Sequence, residues 1–209
     1  MNIRYEVSNL LNVQSGIIVH GCNAQGVMGA GVAAAIKATY PECFARYKTE
    51  FDQRDALYRA LNKPNITDHE CMTINELLDM HNEAHVGGVI WWHADNSDLS
   101  IANAITQDGF GLRRDTDYNA VDAVFEKIFN YIYPANGEDT IHIPLIGSGI
   151  GGGDWRVIES IILDRAANHT QRKEDGMLSP LPKVVVHCLT VNDIPAWRYD
   201  ELEHGQVAV

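Results

Sequence analysis

The sequence predicts a largely three-layered α/β domain, and three observations carry that expectation. Apolar, β-branched runs of strand length alternate with segments whose apolar residues recur at helical spacing, the pattern that lays helices over a sheet. Two of these runs end in glycines directly before an amphipathic helix, in the segments Ile17 to Pro41 and Ile141 to Ile162. The chain has 209 residues, 45% hydrophobic and 21% charged. One domain of that size buries roughly 70% of its unfolded surface and needs no metal or disulfide to hold a core.

In chain order, strands are expected near Ile3 to Val7, Ile17 to His20, Gly88 to Trp92, Leu99 to Ile105, Thr140 to Ile146 and Lys183 to Thr190. Helices are expected over Gly31 to Tyr40, Glu42 to about Gln53, Asp117 to Tyr131 and Asp154 to Asn168. In the third helix Tyr118, Val121, Val124, Phe125, Ile128 and Phe129 form a core-facing stripe. Asp117 and Asp154 suit the N-cap, where a side-chain oxygen accepts from the first free N–H groups, and Pro41 and Pro134 mark helix boundaries. The polar stretch from Asp52 to Val86, with a short helical pattern at Ile74 to Met80, reads as an insertion into a single domain spanning 1–209. The tail from Asp193 to Val209 reads as a strap or a frayed end. Trp91 and Trp92 read as core and sheet-face packing, with one of them a candidate border of a pocket.

A net charge of −12 argues against a nucleic-acid surface, which needs clustered lysine and arginine to displace phosphate counterions. Arg113-Arg114 is the tight basic pair. A small anion remains compatible, because oriented backbone N–H groups create a local field independent of total charge. Cys22, Cys43, Cys71 and Cys188 lie scattered without metal or redox spacing, so they are expected reduced, in a cytoplasmic setting. The start MNIRYEVSNLLN lacks a basic stretch followed by a long apolar one, and no run reaches the ~20 apolar residues of a membrane span. Neither membrane nor nucleic acid is therefore an expected partner. His81 and His85, four apart in HNEAH, do not make the H-E-x-x-H metal pattern and lack a third ligand, so no metal and no cofactor is expected. No P-loop or G-x-S-x-G motif occurs.

Each glycine-rich turn brings backbone N–H groups and a positive helix end to the end of a strand. Two such turns facing one crevice make a two-jawed clamp for a diphosphate that needs no lysine. Their residues resemble those of the macrodomain family, the ADP-ribose-binding fold. The first loop runs Val19-His20-Gly21-Cys22-Asn23 and then Gly29-Ala30-Gly31-Val32; the second, after HIPLI, runs Gly147-Ser148-Gly149-Ile150-Gly151. The resemblance covers most of the chain outside the insertion. It implies a three-layer α/β/α fold with a central mixed, mostly parallel sheet. The VHGCN strand end, the MGAG turn, the YP after the first helix and Trp155 are most similar to a divergent branch of the family. That branch contains yeast-type ADP-ribose-1''-phosphate phosphatases and the terminal ADP-ribose protein glycohydrolase.

What the resemblance implies for the site is specific. Asn23 would bond the distal ribose hydroxyls, against the alternative of an Asx turn that only shapes its loop. Ala24, Gly29, Ala30, Gly31 and Val32, with Gly147, Ser148, Gly149, Ile150 and Gly151, would approach or cover the diphosphate. Asn9 stands where common members carry an aspartate that accepts from adenine, with a turn role as its alternative, and Leu10 or Leu11 would lie under the base. His20, whose unperturbed pKa is ~6.5, would orient water or protonate a leaving oxygen, against the alternative of a structural strand histidine. Ser148 would stand near the terminal phosphate. His142 and His187 read as structural. The expected function is binding of ADP-ribose and hydrolysis of ADP-ribose-1''-phosphate to ADP-ribose and phosphate. The alternatives are a non-catalytic ADP-ribose reader or sequestering module, or a hydrolase of ADP-ribosyl adducts, with ADP-ribosylated protein a further partner. Gln107 is a candidate ligand contact; in the glycohydrolase branch a lysine holds its position and an aspartate stands near Gly151. Both are missing here, and glutamine is neither nucleophile nor base, so lysine-dependent chemistry is disfavoured. Asp108, Asp115 and Asp154 read as turn residues or caps.

Overall fold

Consecutive β-branched residues at Ile17, Ile18 and Val19 suit a strand buried on both faces, and that strand lies inside the sheet of the computed structural model, which describes residues 3–110, 116–132, 140–171 and 183–198. The strands are β1 (Ile3–Val7), β2 (Gly16–Asn23), β3 (Val89–His93), β4 (Leu99–Gln107), β5 (Thr140–Ile143) and β6 (Lys183–Cys188). Their order across the sheet is β1-β6-β5-β2-β4-β3. All neighbours pair parallel except β3 with β4, so the sheet is mixed and mostly parallel as expected. Arg113, Arg114, Asp115, Pro134 and the tail beyond residue 198 lie outside the described residues.

Helices cover both faces. The helices are α1 (Gly31–Thr39), α2 (Pro41–Leu61), α3 (Asp68–Asp79), α4 (Tyr118–Ile132) and α5 (Trp155–Gln171). Alternate residues of β2 and β4 part to opposite sides. Ile17, Val19, Ala102 and Ala104 join the core made with Val121, Val124, Phe125, Ile128 and Phe129 of α4 and Ile158 and Ile162 of α5. Ile18, Leu99 and Ile101 pack instead with Ile36 of α1 and Cys43 of α2, while Cys22, Ile90 and Ile105 meet Tyr47 and Phe51. The helical stripe expected on α4 is wholly buried apart from Tyr118, which packs against the same core.

Several boundaries differ from the sequence reading: β2 runs on to Asn23, β6 stops at Cys188 and α5 reaches Gln171, and three further differences have a visible cause. Helix α2 does not stop near Gln53 but continues to Leu61, because no proline or glycine interrupts residues 42–61 and Arg54 is tied back across Phe51, with its guanidinium 4.7 Å from that ring. Residues 52–61 of the expected insertion are therefore part of α2. Helix α3 starts earlier than Ile74, under a reciprocal cap in which Glu70 N donates to Thr67 Oγ1 and Thr67 N to Glu70 Oε2. The strand expected to reach Ile146 ends at Ile143, since Pro144 cannot donate to a ladder and Ile146 N turns back to Pro144 O at 2.7 Å. Asp117 and Asp154 cap α4 and α5 as expected, accepting from Asn119 N at 2.8 Å and Arg156 N at 2.9 Å.

The chain leaves β2 toward β4 on one side and returns to β5 on the other. Strand order reverses at β2/β5, the place where open α/β sheets bind ligands beyond the carboxyl ends of their strands. Both glycine turns leave those ends. Trp91 stacks on Tyr131 at 4.1 Å and Trp92 meets Tyr40 at 5.8 Å, which makes both packing residues of the antiparallel edge, away from that point. The segment after β6 straps the molecule: Arg198 donates to Glu159 at 2.9 Å, and Glu159 accepts from Tyr5, which accepts from Trp155 Nε1 at 2.8 Å. No helix among the described residues is long and apolar enough to cross a membrane.

Candidate functional site

The first loop is shaped from within. Asn23, at the end of β2, lies beside a register shift in the β2/β4 ladder. Its amide donates to Val27 O at 2.7 Å, and its Oδ1 accepts from Gln25 N at 2.9 Å and Val27 N at 3.3 Å. Tyr47, fully buried on α2, donates to Asn23 O at 2.5 Å. Burial pushes the Tyr47 hydroxyl well above the ordinary tyrosine range, so it stays a donor. Asn23 is 8% exposed, and its carboxamide is occupied by its own loop. The turn-shaping alternative is thus the arrangement the structure displays. Ala24, buried, donates its N–H to Gln107 O and Asp108 O, tying the loop to the end of β4.

Beyond that anchor the chain opens. Gly29, Ala30, Gly31 and Val32 are all exposed, and Ala30 caps α1 without any side-chain hydrogen bond. The first N–H groups of α1 therefore have no side-chain cap among the described residues, and they stand at the positive end of the helix. Gly31 has φ +58, a left-handed conformation that a side chain resists, and a Cβ there would stand 3.3 Å from Ile150 Cδ1. That distance places the two glycine loops side by side.

The second loop is held from outside. Thr116 donates from Oγ1 to Gly147 O at 2.8 Å and from its backbone N–H to Gly151 O at 3.2 Å. Gly147, at φ +74, leaves no room for a Cβ, which would meet Thr116 Cγ2 at 2.9 Å. Ser148 donates its hydroxyl to Leu145 O at 2.7 Å and its N–H to the same carbonyl at 3.2 Å, so both groups turn inward. The N–H groups of Gly149, Ile150 and Gly151 have no acceptor among the described residues. Gln107 lies against this loop, with its Oε1 3.1 Å from where a Cβ on Gly151 would be and its amide donating to Gly109 O at 2.7 Å. It braces β4 against the glycine loop.

At the base end, Asn9 is exposed but its Oδ1 accepts from Leu11 N at 3.0 Å, capping the turn Leu10–Asn12. Leu10 is not a surface for a ligand: it is 6% exposed and packs with Ile18, Ile36 and Cys43, leaving the half-buried Leu11 beside it. Residues that sequence reasoning missed stand next to Asn9. Val7, Leu189 and Val191 are exposed apolar side chains at the carboxyl ends of the paired strands β1 and β6. Their signal was faint, since an apolar residue at or just past the end of a strand, as Val7 and Leu189 are, looks like more strand.

His20 is displaced from the catalytic set by the geometry. Being even-numbered on β2 it points away from α4 and α5, under α2, and it is completely buried. Nε2 pairs with Asn103 Oδ1 at 2.9 Å, Asn103 donates to Ile90 O at 2.9 Å, and Cys22 Sγ lies 3.7 Å from Nδ1. Burial drives its pKa down to about 4, against the Asn103 and Gly21 hydrogen bonds that raise it. A neutral, sealed imidazole exchanges no proton with a ligand at neutral pH, so the structural alternative holds. His142 and His187 pair with each other at 2.8 Å, and Ser8 Oγ lies 2.7 Å from His187 Nδ1. His81 and His85 sit in turns after α3 rather than on one helix face, and His81 is bonded to Glu50 at 2.6 Å. No group of three metal-ligating side chains occurs among the described residues.

A family model described as Macro domain matches residues 19–162, which spans both glycine loops. No curated protein matches. Among solved structures, a protein of unknown function from Bacteroides thetaiotaomicron is 22% identical over 90% of this chain and 98% of its own, with a TM-score of 0.63. The macrodomain of Mycobacterium tuberculosis DarG is 21% identical over 89% and 97%, with a TM-score of 0.60. Thermosipho africanus DarTG, solved in complex with ADP-ribose, is 12% identical over 91% of this chain and 42% of its own, also at 0.60. At such identities the likeness is one of fold. With the family model covering well over half its length, the chain belongs to the Macro domain family.

Proposed function

We propose that this chain binds ADP-ribose, with the diphosphate between the α1 N-terminus and the second glycine loop, the adenine toward Asn9 and the distal ribose toward Asn23. The observation that carries this reading is the side-by-side meeting of two sets of backbone N–H groups without an acceptor among the described residues, those of the first turn of α1 and those of Gly149 to Gly151. Donors fixed in advance at a helix end suit an anion and tolerate an acidic protein, because they act at contact distance. The Thermosipho neighbour's complex with ADP-ribose supports the choice of ligand. Calorimetric titration of ADP-ribose tests it: saturable binding with one site is expected, and absence of binding at millimolar ligand overturns it.

Hydrolysis of ADP-ribose-1''-phosphate is the second reading, and one observation favours it. Asp108 is exposed at the end of β4, and its backbone carbonyl accepts from Ala24 N at 3.0 Å and Gln25 Nε2 at 3.3 Å, so the residue that carries this carboxyl group is tied to the first loop. There it would position water while the backbone donors stabilise charge on the phosphoryl oxygens. His20 and the Ser148 hydroxyl take no part in this version. Phosphate release from ADP-ribose-1''-phosphate is the measurement. Turnover lost in Asp108→Asn with ADP-ribose affinity retained would support the assignment, and binding without any release would leave the chain a reader.

A further inference from the structure

We infer that Thr116 is the positioning residue of the diphosphate site, a clasp that keeps the N–H groups of the second glycine loop aimed into the crevice. This rests on the diphosphate reading above. The loop between Gly147 and Gly151 is an arch whose two feet are held by one residue: Thr116 Oγ1 donates to Gly147 O at 2.8 Å and Thr116 N donates to Gly151 O at 3.2 Å. Gly147 O also accepts from Gly153 N at 2.8 Å, which closes the turn beneath the arch. The methyl group completes the seat, since Cγ2 stands 2.9 Å from the Cβ position of Gly147 and 3.2 Å from that of Gly153.

Thr116 is itself held. It is 9% exposed, bridges Gln107 in an antiparallel pair, and is followed by Asp117, whose N–H donates to Thr106 O at 2.9 Å. The clasp thus transmits the register of β4 to a loop that begins 31 residues later. A β-branched side chain with little χ1 freedom suits this task, because hydroxyl and methyl cannot exchange places without losing both contacts. Between the clasped feet, Gly149 and Ile150 keep their N–H groups unpaired among the described residues. Releasing one foot lets those dipoles reorient toward water, and preorganised donors lose their advantage when they must be reoriented by the ligand.

Thr116→Val removes the hydroxyl but keeps the shape, and Thr116→Ser keeps the hydroxyl. Two readouts are needed on the full chain, ADP-ribose affinity by calorimetry and amide hydrogen exchange of residues 147–153 without ligand. The clasp predicts about tenfold weaker ADP-ribose binding for Thr116→Val, an unfolding midpoint within a few degrees of the parent, faster exchange at Gly149 and Ile150, and recovery to within about threefold in Thr116→Ser. Parent-like affinity in the valine variant, or serine as weak as valine, overturns it. If the parent chain itself binds no ADP-ribose, the diphosphate reading fails and exchange alone decides the clasp: unchanged protection of residues 147–153 in Thr116→Val refutes it.

Discussion

The two glycine loops carry similar sequences and are built on opposite plans. In the first, the anchor is local: Asn23 bonds Gln25 and Val27, two and four residues away, with Tyr47 reaching in from another element. In the second, the side-chain bond within the loop, from Ser148 to Leu145 O, closes only the turn at its start, and the arch from Gly147 to Gly151 is held by Thr116 from a segment 31 residues earlier. A loop that contains its own anchor announces itself in sequence, and one shaped from outside does not. The same contrast predicts how each fails. Damage to the first loop spreads into the strand and helix beneath it, whereas damage to the second stays in the crevice.

The largest expected effect lies beneath the first loop, at His20. Its folded pKa is depressed to about 4 from an ordinary 6.5. A depressed pKa means the folded state favours the neutral ring, so this contribution is complete above pH 6.5 and is lost as pH falls toward 4. The linkage is worth on the order of 3 kcal/mol between about pH 7 and pH 4. His142, depressed to about 4 by burial and by the neighbouring His187, adds to the loss in the same window. Urea unfolding at about pH 7 and about pH 4.5 should show the drop, and His20→Gln should flatten part of it. An unchanged pH slope in that variant would mean the ring is not a buried neutral group.

Next in size is Asn23→Ala. It deletes the donor to Val27 O and the acceptor for two N–H groups in a half-sealed turn under Tyr47. About 2 kcal/mol of stability should go, since unpaired groups there are largely screened from water. Denaturant melts read it directly. ADP-ribose affinity should fall as well, because α1 would no longer start from a fixed point. If stability holds while affinity collapses, Asn23 is a ligand contact and the loop is sturdier than its hydrogen bonds suggest.

These effects show where sequence reasoning reached and where it stopped. Both glycine loops, the α4 stripe and the two aspartate caps were legible because each is encoded within a few residues: periodicity, a cap close to its donors, glycines behind a β-branched run. The length of α2 was hidden by its polar second half, which is helical because Arg54 and Phe51 hold it to the body rather than through amphipathic contrast. His20 stood in the right motif, but a strand alternates its faces, and a single residue of parity decides between crevice and core. Leu10 was lost to the core because the short turn capped by Asn9 directs it against Ile18, Ile36 and Cys43. Thr116 carried no signal at all, since its meaning arises only when β4 and the second loop meet.

The smallest effects come from single methyl groups added to the loops, and they separate geometry from mere glycine content. A Cβ added at Gly149 would meet no atom within 4 Å, and the residue has no left-handed φ, whereas Gly147 combines φ +74 with Thr116 Cγ2 at 2.9 Å. Gly31 lies between them, with φ +58 but only the flexible end of Ile150 at 3.3 Å. Gly147→Ala should therefore cost about 1–2 kcal/mol in strain and displaced contacts, and Gly31→Ala nearer to about 1 kcal/mol. Gly149→Ala should leave stability within about 0.5 kcal/mol of the parent, the usual range for a change with no neighbouring atom, while ADP-ribose affinity falls, because the added methyl stands beside one of the proposed diphosphate donors. Thermal melts and calorimetry on the three variants give the ranking. Should Gly149→Ala bind ADP-ribose as tightly as the parent while the melt is unchanged, the diphosphate does not pass over Gly149 and the donors of the second loop are not those proposed.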